Sequence, residues 1–109
     1  MAMTPEGKVK KWLHDRLKTE LPNGYKYMPP GGALGKAGVP DVFYLWQGVF
    51  IAIETKADVP GAKPTALQMN NLRAIAAAGG VAALLKGRDE AKLQAILTEV
   101  RRRANASAI

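Results

Sequence analysis

The start of the chain alternates apolar and polar residues with the period of a helix. Its apolar positions Val9, Trp12, Leu13 and Leu17 follow an i, i+3, i+4, i+8 pattern, which is the spacing of one buried helical face. Thr4 stands before a proline, an arrangement typical of a helix N-cap and first turn. The pattern therefore predicts a helix that begins after Thr4 and ends near Leu21. The opposite face is largely basic and carries Lys8, Lys11, Asp15 and Lys18.

Two runs in the middle of the chain, Val42 to Trp46 and Val49 to Thr55, are rich in β-branched and aromatic residues. Such residues favour strands. Gln47 and Gly48 lie between the runs and suit a two-residue hairpin turn. With that turn, alternate side chains of both strands share one face of a sheet, which another layer must cover. These side chains are Val42, Tyr44, Trp46, Val49, Ile51 and Ile53.

The remaining apolar runs predict a short strand that begins at Tyr25, a helix from Thr65 to about Ala78, a strand over residues 81–86 and a last helix from Asp89 to Arg103. The element order α-β-β-β-α-β-α predicts an α/β fold with a small mixed central sheet and flanking helices. We expect one domain over residues 1–104 and a frayed tail over residues 105–109.

Composition narrows the class of partner. The 109 residues carry a formal net charge of +7, which favours a polyanion such as nucleic acid, although an anionic membrane surface would also satisfy it. The sequence has no cysteine, which excludes disulfides, thiol nucleophiles and cysteine-bearing zinc sites. Its longest uncharged runs have twelve residues, fewer than the roughly 20 needed to span a bilayer. We therefore expect a soluble, intracellular protein. We expect no association with membranes, because the aromatic residue of the first helix lies within its core-like stripe rather than beside an extended hydrophobic face.

The predicted hairpin brings charges together at its open end. Counted outward from the turn, Asp41 lies opposite Glu54, and Lys56 points to the same side of its strand as Glu54. Like charges directly opposite each other are destabilising. Two interpretations remain open: the strand ends are solvated and Lys56 neutralises Glu54 in water, or a divalent cation binds between the two acids. Hard cations such as Mg²⁺ prefer carboxylate oxygen beside substrate phosphates.

These residues also carry a family resemblance. The motifs are GVPD over residues 38–41 and IETK over residues 53–56, with Glu6 on the first helix and Gln68 on the next helix. Together they resemble the PD-(D/E)XK nuclease superfamily, and within it the chain is most similar to the short, stand-alone phage form of the VRR-NUC (virus-type replication-repair nuclease) family. The resemblance spans roughly Glu6 to Lys86. It implies a restriction-endonuclease-like core.

The resemblance also implies roles. Asp41 and Glu54 would ligate Mg²⁺ or Mn²⁺ together with the backbone carbonyl of Thr55. Lys56 would orient or activate the attacking water, and Glu6 would reach the metal directly or through water. The implied activity is a homodimeric endodeoxyribonuclease that hydrolyses phosphodiesters in branched DNA such as four-way junctions. The implied location is the cytoplasm of a bacterium or of a phage-infected host.

Two of these residues have structural alternatives. Glu6 lies in a first helical turn, where the helix dipole favours an acid whatever the function. Gln68 lies three residues after Thr65, which is the spacing of a capping box, in which the glutamine side chain returns to the N-cap backbone. A catalytic role and a capping role for Gln68 both remain open.

The glycine-rich loop over residues 31–36 does not match a phosphate-binding P-loop. Its outer glycines enclose three residues rather than four, and alanine follows its lysine. We therefore expect no nucleotide cofactor, and the loop is either a plain connector or a flap against DNA. The lysines near the expected site are candidate contacts to the DNA backbone. They are Lys8, Lys11, Lys36 and Lys63.

Three functions follow as hypotheses. The first is a metal-dependent endonuclease that acts on structured DNA. The second is a nuclease of ordinary duplex DNA. The third is a basic DNA-binding module whose acidic cluster is catalytically inert.

Overall fold

The computed structural model describes residues 3–30 and 35–107. Its elements are α1 (Pro5–Glu20), β1 (Tyr25–Tyr27), β2 (Val42–Trp46), β3 (Val49–Lys56), α2 (Ala66–Ala77), β4 (Val81–Lys86) and α3 (Glu90–Ser107). The element order predicted from the sequence is confirmed. Within the described residues, no helix combines the length and the hydropathy that a membrane crossing requires.

Helix α3 is longer than the sequence pattern predicts. It continues past the predicted end at Arg103 to Ser107, and residues 108–109 lie outside the described part. The frayed tail over residues 105–109 stays a prediction. The reason is packing, because Ala104 is only 4% exposed within the core. A buried contact one turn from the end stabilises the last turn of a helix more than local propensity does.

The four strands form one mixed sheet in the order β1-β2-β3-β4. Strand β2 pairs antiparallel with both β1 and β3, whereas β4 pairs parallel with β3. A parallel neighbour requires a crossover, and α2 supplies it. The sheet predicted from the sequence, with the last strand beside the hairpin, is therefore confirmed.

The hairpin turn fixes the register of β2 against β3. Gln47 and Gly48 have φ values of 46° and 80°, the two positive values that a type I′ turn requires. Trp46 pairs with Val49, and the ladder continues outward to Val42 and Ile53. The next residues outward on the two strands are Asp41 and Glu54. The predicted register is thus confirmed.

One face of the sheet packs against α1 and α3. Leu13 and Leu17 of α1 and Leu93 and Leu97 of α3 have no exposed surface and join the sheet residues in one hydrophobic cluster. Each such burial contributes about 1.5–3 kcal/mol. The sheet residues are the hairpin residues predicted to share a face, together with Val81 and Leu85 of β4, and Trp46 packs against the cluster while partly exposed.

The other face is only partly covered. Helix α2 packs on β3 and β4, where Ile75 and Phe50 both border Gly80. The β1–β2 side of this face, which Phe50 of β3 borders, has no such layer among the described residues, and its aromatic and aliphatic side chains are exposed or partly exposed. We call this set of side chains the apolar strip. It consists of Tyr25, Tyr27, Phe43, Leu45 and Phe50, which enclose a shallow groove.

Side chains of β2 tie down the C-terminal end of α1. The Tyr44 hydroxyl donates to the Leu21 carbonyl at 2.6 Å, and the Trp46 indole nitrogen donates to the Pro22 carbonyl at 3.0 Å. Gly24 allows this approach, because a Cβ there would lie 2.3 Å from the Tyr44 ring. The C-terminal end of α1 is therefore hydrogen-bonded to β2, the strand that follows Asp41.

Candidate active site

Three elements bring acidic side chains to one end of the sheet. Helix α1 presents Glu6 in its first turn, directly after the N-cap Thr4, whose hydroxyl accepts from the Gly7 amide at 3.0 Å. Asp41 immediately precedes β2, and Glu54 lies near the end of β3. One carboxylate oxygen from each acid lies within 4.8 Å of the other two. Acids that are far apart in the sequence thus form one cluster.

Asp41 is held in a fixed orientation. Its Oδ2 accepts from the Thr55 backbone N–H at 3.0 Å and from the Thr55 hydroxyl at 2.8 Å. Its Oδ1 lies 3.5 Å from the Lys10 ammonium of α1. Sequence reasoning found neither partner for Asp41. Lys10 follows Glu6 by one helical turn, and this spacing could have indicated that Lys10 lies beside the acidic cluster.

Glu54 is buried with little to stabilise its charge. It is 1% exposed, and among the described residues neither of its carboxylate oxygens has a hydrogen-bond donor. The Lys56 ammonium lies 3.2 Å from Oε2 as an ion pair. Burial, and then the neighbouring Asp41 carboxylate, raise the pKa of Glu54 to about 7, although Lys56 acts in the opposite direction.

This environment separates the two interpretations of the charge cluster. Solvated strand ends would leave Glu54 in water, whereas its side chain is buried and Lys56 is itself only 17% exposed. The Lys56 ammonium offsets part of the cost of burying this carboxylate, and a second cation at its oxygens would offset more. Three convergent carboxylates are the oxygen donors that Mg²⁺ and Mn²⁺ prefer. The residues present therefore fit a divalent metal ion.

Gln68 forms the capping box that its spacing predicts. Its side-chain oxygen accepts from the Thr65 backbone N–H at 2.9 Å, and its own backbone N–H donates to the Thr65 hydroxyl at 3.1 Å. The structural role is thus confirmed, and a catalytic role for Gln68 stays a prediction. The metal contact expected of the Thr55 carbonyl also stays a prediction.

The candidate DNA-contacting lysines all lie on the surface. Lys8, Lys36 and Lys63 are exposed. Lys11 is also exposed, and its ammonium donates to Asp15 at 2.9 Å. Contact with DNA stays a prediction for all four. The flap proposed for the glycine-rich loop falls largely on residues 31–34, which lie outside the described part of the chain.

Comparison with known proteins identifies the fold. No protein-family model matches the sequence, and no curated protein matches it. A solved structure described as a VRR_NUC domain superposes with a TM-score of 0.61 and 23% sequence identity, over 92% of this chain and 94% of the other. The chain therefore has the restriction-endonuclease-like fold of that domain, as predicted from the sequence.

Proposed function

We propose that this chain is a metal-dependent DNA endonuclease of the VRR-NUC family. One observation carries the proposal: the cluster of Glu6, Asp41 and Glu54, with Lys56 beside it, occurs in a chain that has the fold of a VRR_NUC domain. A bound Mg²⁺ or Mn²⁺ would polarise the phosphodiester and make a water nucleophile available near neutral pH.

The residues of the chain have distinct tasks in this reaction. Thr55 donates two hydrogen bonds to Asp41 Oδ2, so we assign the remaining oxygen, Oδ1, to the metal. Glu54 supplies a second carboxylate from the adjacent strand, and Glu6 a third from α1. The Lys56 ammonium places a positive charge beside Glu54, where it orients the attacking water and stabilises the charge that develops on the phosphate.

The charge of the protein fits DNA as the substrate. The net charge of +7 attracts the phosphate backbone and accelerates association. Lys8 lies on α1, half a turn from Glu6, and is exposed. We propose Lys8, Lys11, Lys36 and Lys63 as contacts to the DNA backbone, which position the duplex without reading its sequence.

The apolar strip supports a homodimer. Tyr25 is 72% and Leu45 48% exposed, and the groove has a volume of about 270 Å³. Its lining carries no charged side chain, so it suits an apolar protein surface better than a phosphate backbone. A second copy of the chain provides such a surface around a twofold axis. We propose that two copies pack through this strip and present two active sites to a branched DNA such as a four-way junction.

The dimer proposal predicts a change in mass for Leu45→Lys. A lysine in the strip would place a charge in the interface, so we expect the mass in solution to fall from twice 11.7 kDa to 11.7 kDa. Light scattering after size-exclusion chromatography measures this. Val59→Lys is the matched control, because Val59 is 42% exposed but lies outside the strip. A wild-type protein that is monomeric would contradict the proposal.

A cleavage assay tests the activity. Purified protein is incubated with an end-labelled four-way junction, a linear duplex of the same sequence and a single strand, each with Mg²⁺ or with chelator. We expect the junction to be cut in Mg²⁺, with products that carry a 5′-phosphate and a 3′-hydroxyl. We expect binding without cleavage in chelator.

The other outcomes separate the alternatives. Equal cleavage of junction and duplex would favour a nuclease of ordinary duplex DNA and contradict the branched substrate. Binding without cleavage under every metal condition would favour an inert DNA-binding module and contradict the endonuclease.

A further inference from the structure

Lys10 lies beside the acidic cluster, although none of the roles proposed for Glu6, Asp41, Glu54 and Lys56 involves it. Its ammonium lies 3.5 Å from Asp41 Oδ1, and this is the oxygen that Thr55 leaves free. Lys10 thus neutralises the atom through which Asp41 would bind a cation. A divalent ion on that oxygen and the ammonium would lie within a few ångströms of each other, where like charges repel strongly.

The two lysines of the cluster are not equivalent. The Lys56 side chain is 17% exposed and faces the buried Glu54. The Lys10 side chain is 33% exposed and extends from a helix surface on a flexible four-carbon stem. Lys10 therefore has room to leave Asp41 without opening the core, and its ammonium regains hydration when it does so.

We propose that Lys10 is a positioning residue that holds Asp41 in the metal-free protein and is displaced when a divalent cation binds. The released ammonium then stays beside the cluster, where its positive charge stabilises the charge that develops on the phosphate. This inference rests on the proposed nuclease function. It assigns Lys10 two opposite effects: it weakens metal binding and it accelerates cleavage.

The test compares Lys10→Met with the wild-type protein in two measurements. Titration with Mn²⁺ in the absence of DNA, followed by electron paramagnetic resonance, is expected to show binding about tenfold tighter, because a competing charge has been removed. Single-turnover cleavage at saturating Mg²⁺ is expected to be about tenfold slower, because a positive charge near the phosphate has been lost. A purely structural role would not tighten metal binding.

Three further variants sharpen the result. Lys10→Gln removes the charge but keeps a hydrogen-bond donor for Asp41, and it should tighten Mn²⁺ binding as Lys10→Met does. Lys10→Arg keeps the charge and should bind Mn²⁺ as the wild type does. Lys18→Met is the matched control, since it removes one charge from an exposed lysine of α1 that lies two helical turns from Lys10. It should leave Mn²⁺ affinity within twofold of the wild type.

The outcomes distinguish this inference from the proposed function. If the wild type binds Mn²⁺ and cuts DNA but neither neutral variant at position 10 binds the ion more tightly, the role of Lys10 is overturned and the nuclease stands. If the wild type neither binds Mn²⁺ nor cuts DNA, both are overturned.

Discussion

Asp41→Asn should reduce metal-dependent cleavage by about 1,000-fold while the protein remains folded. The substitution removes the charge through which Asp41 would bind a cation, and a metal ion is worth several kcal/mol to phosphodiester hydrolysis. Asparagine is nearly isosteric, and its side-chain oxygen can still accept from the N–H and hydroxyl of Thr55. The effect should therefore fall on activity and metal affinity rather than on folding.

Single-turnover cleavage of a four-way junction measures the loss, and thermal unfolding in chelator checks the fold. Asp15→Asn is the matched control, because Asp15 is an exposed carboxylate on α1 that pairs with Lys11. We expect it to retain cleavage within twofold of the wild type. Cleavage by Asp41→Asn at the wild-type rate would remove the acidic cluster from the mechanism.

Glu54→Gln should stabilise the metal-free protein at pH 8 by about 2–3 kcal/mol and leave its stability nearly unchanged at pH 4. Burial, and then the Asp41 carboxylate, raise the pKa of Glu54 from 4.5 to about 7 in the folded state. The folded protein thus binds a proton that the unfolded chain releases. Wild-type stability therefore falls as the pH rises from about 4.5 to about 7, and a neutral glutamine avoids that loss.

Urea unfolding at pH 4, 6 and 8 in chelator measures this difference. Glu99→Gln is a control of opposite sign, because the hydrogen bonds from Arg102 and Arg103 lower the pKa of Glu99 to about 2. Loss of the Glu99 carboxylate charge should therefore destabilise the folded protein at pH 8. Added Mg²⁺ should raise the stability of the wild type more than that of Glu54→Gln. A wild type as stable at pH 8 as Glu54→Gln would contradict the raised pKa.

The sequence predicted the features that depend on neighbouring residues. The Gln47–Gly48 turn requires two positive φ values, and this requirement sets the register that brings Asp41 opposite Glu54. The Thr65–Gln68 capping box is likewise a matter of spacing within one turn. Such signals can be read from a few adjacent positions because the physical interaction is itself local.

Other features depend on how distant elements pack, and the sequence could not show them. Lys10 and Asp41 meet only because α1 packs on the sheet with its N-terminal end near β3. The burial of Glu54, which raises its pKa, has the same origin. The length of α3 was missed because the contact of Ala104 with the core decides where the helix ends. Each of these depends on tertiary contacts that override local propensity.

Hydrogen bonds to Leu21 and Pro22 hold the C-terminal end of α1, so a small change in the tilt of the helix there moves Glu6 at its other end. Glu6 lies fifteen residues from Leu21, which at the rise of an α-helix is about 22 Å. A tilt of about 3° at the fastened end displaces the Glu6 carboxylate by about 1 Å, and misplacement on this scale costs about 100-fold in rate. Changes at Gly24 or Tyr44, remote from the chemistry, should therefore reproduce the phenotype of a lost ligand.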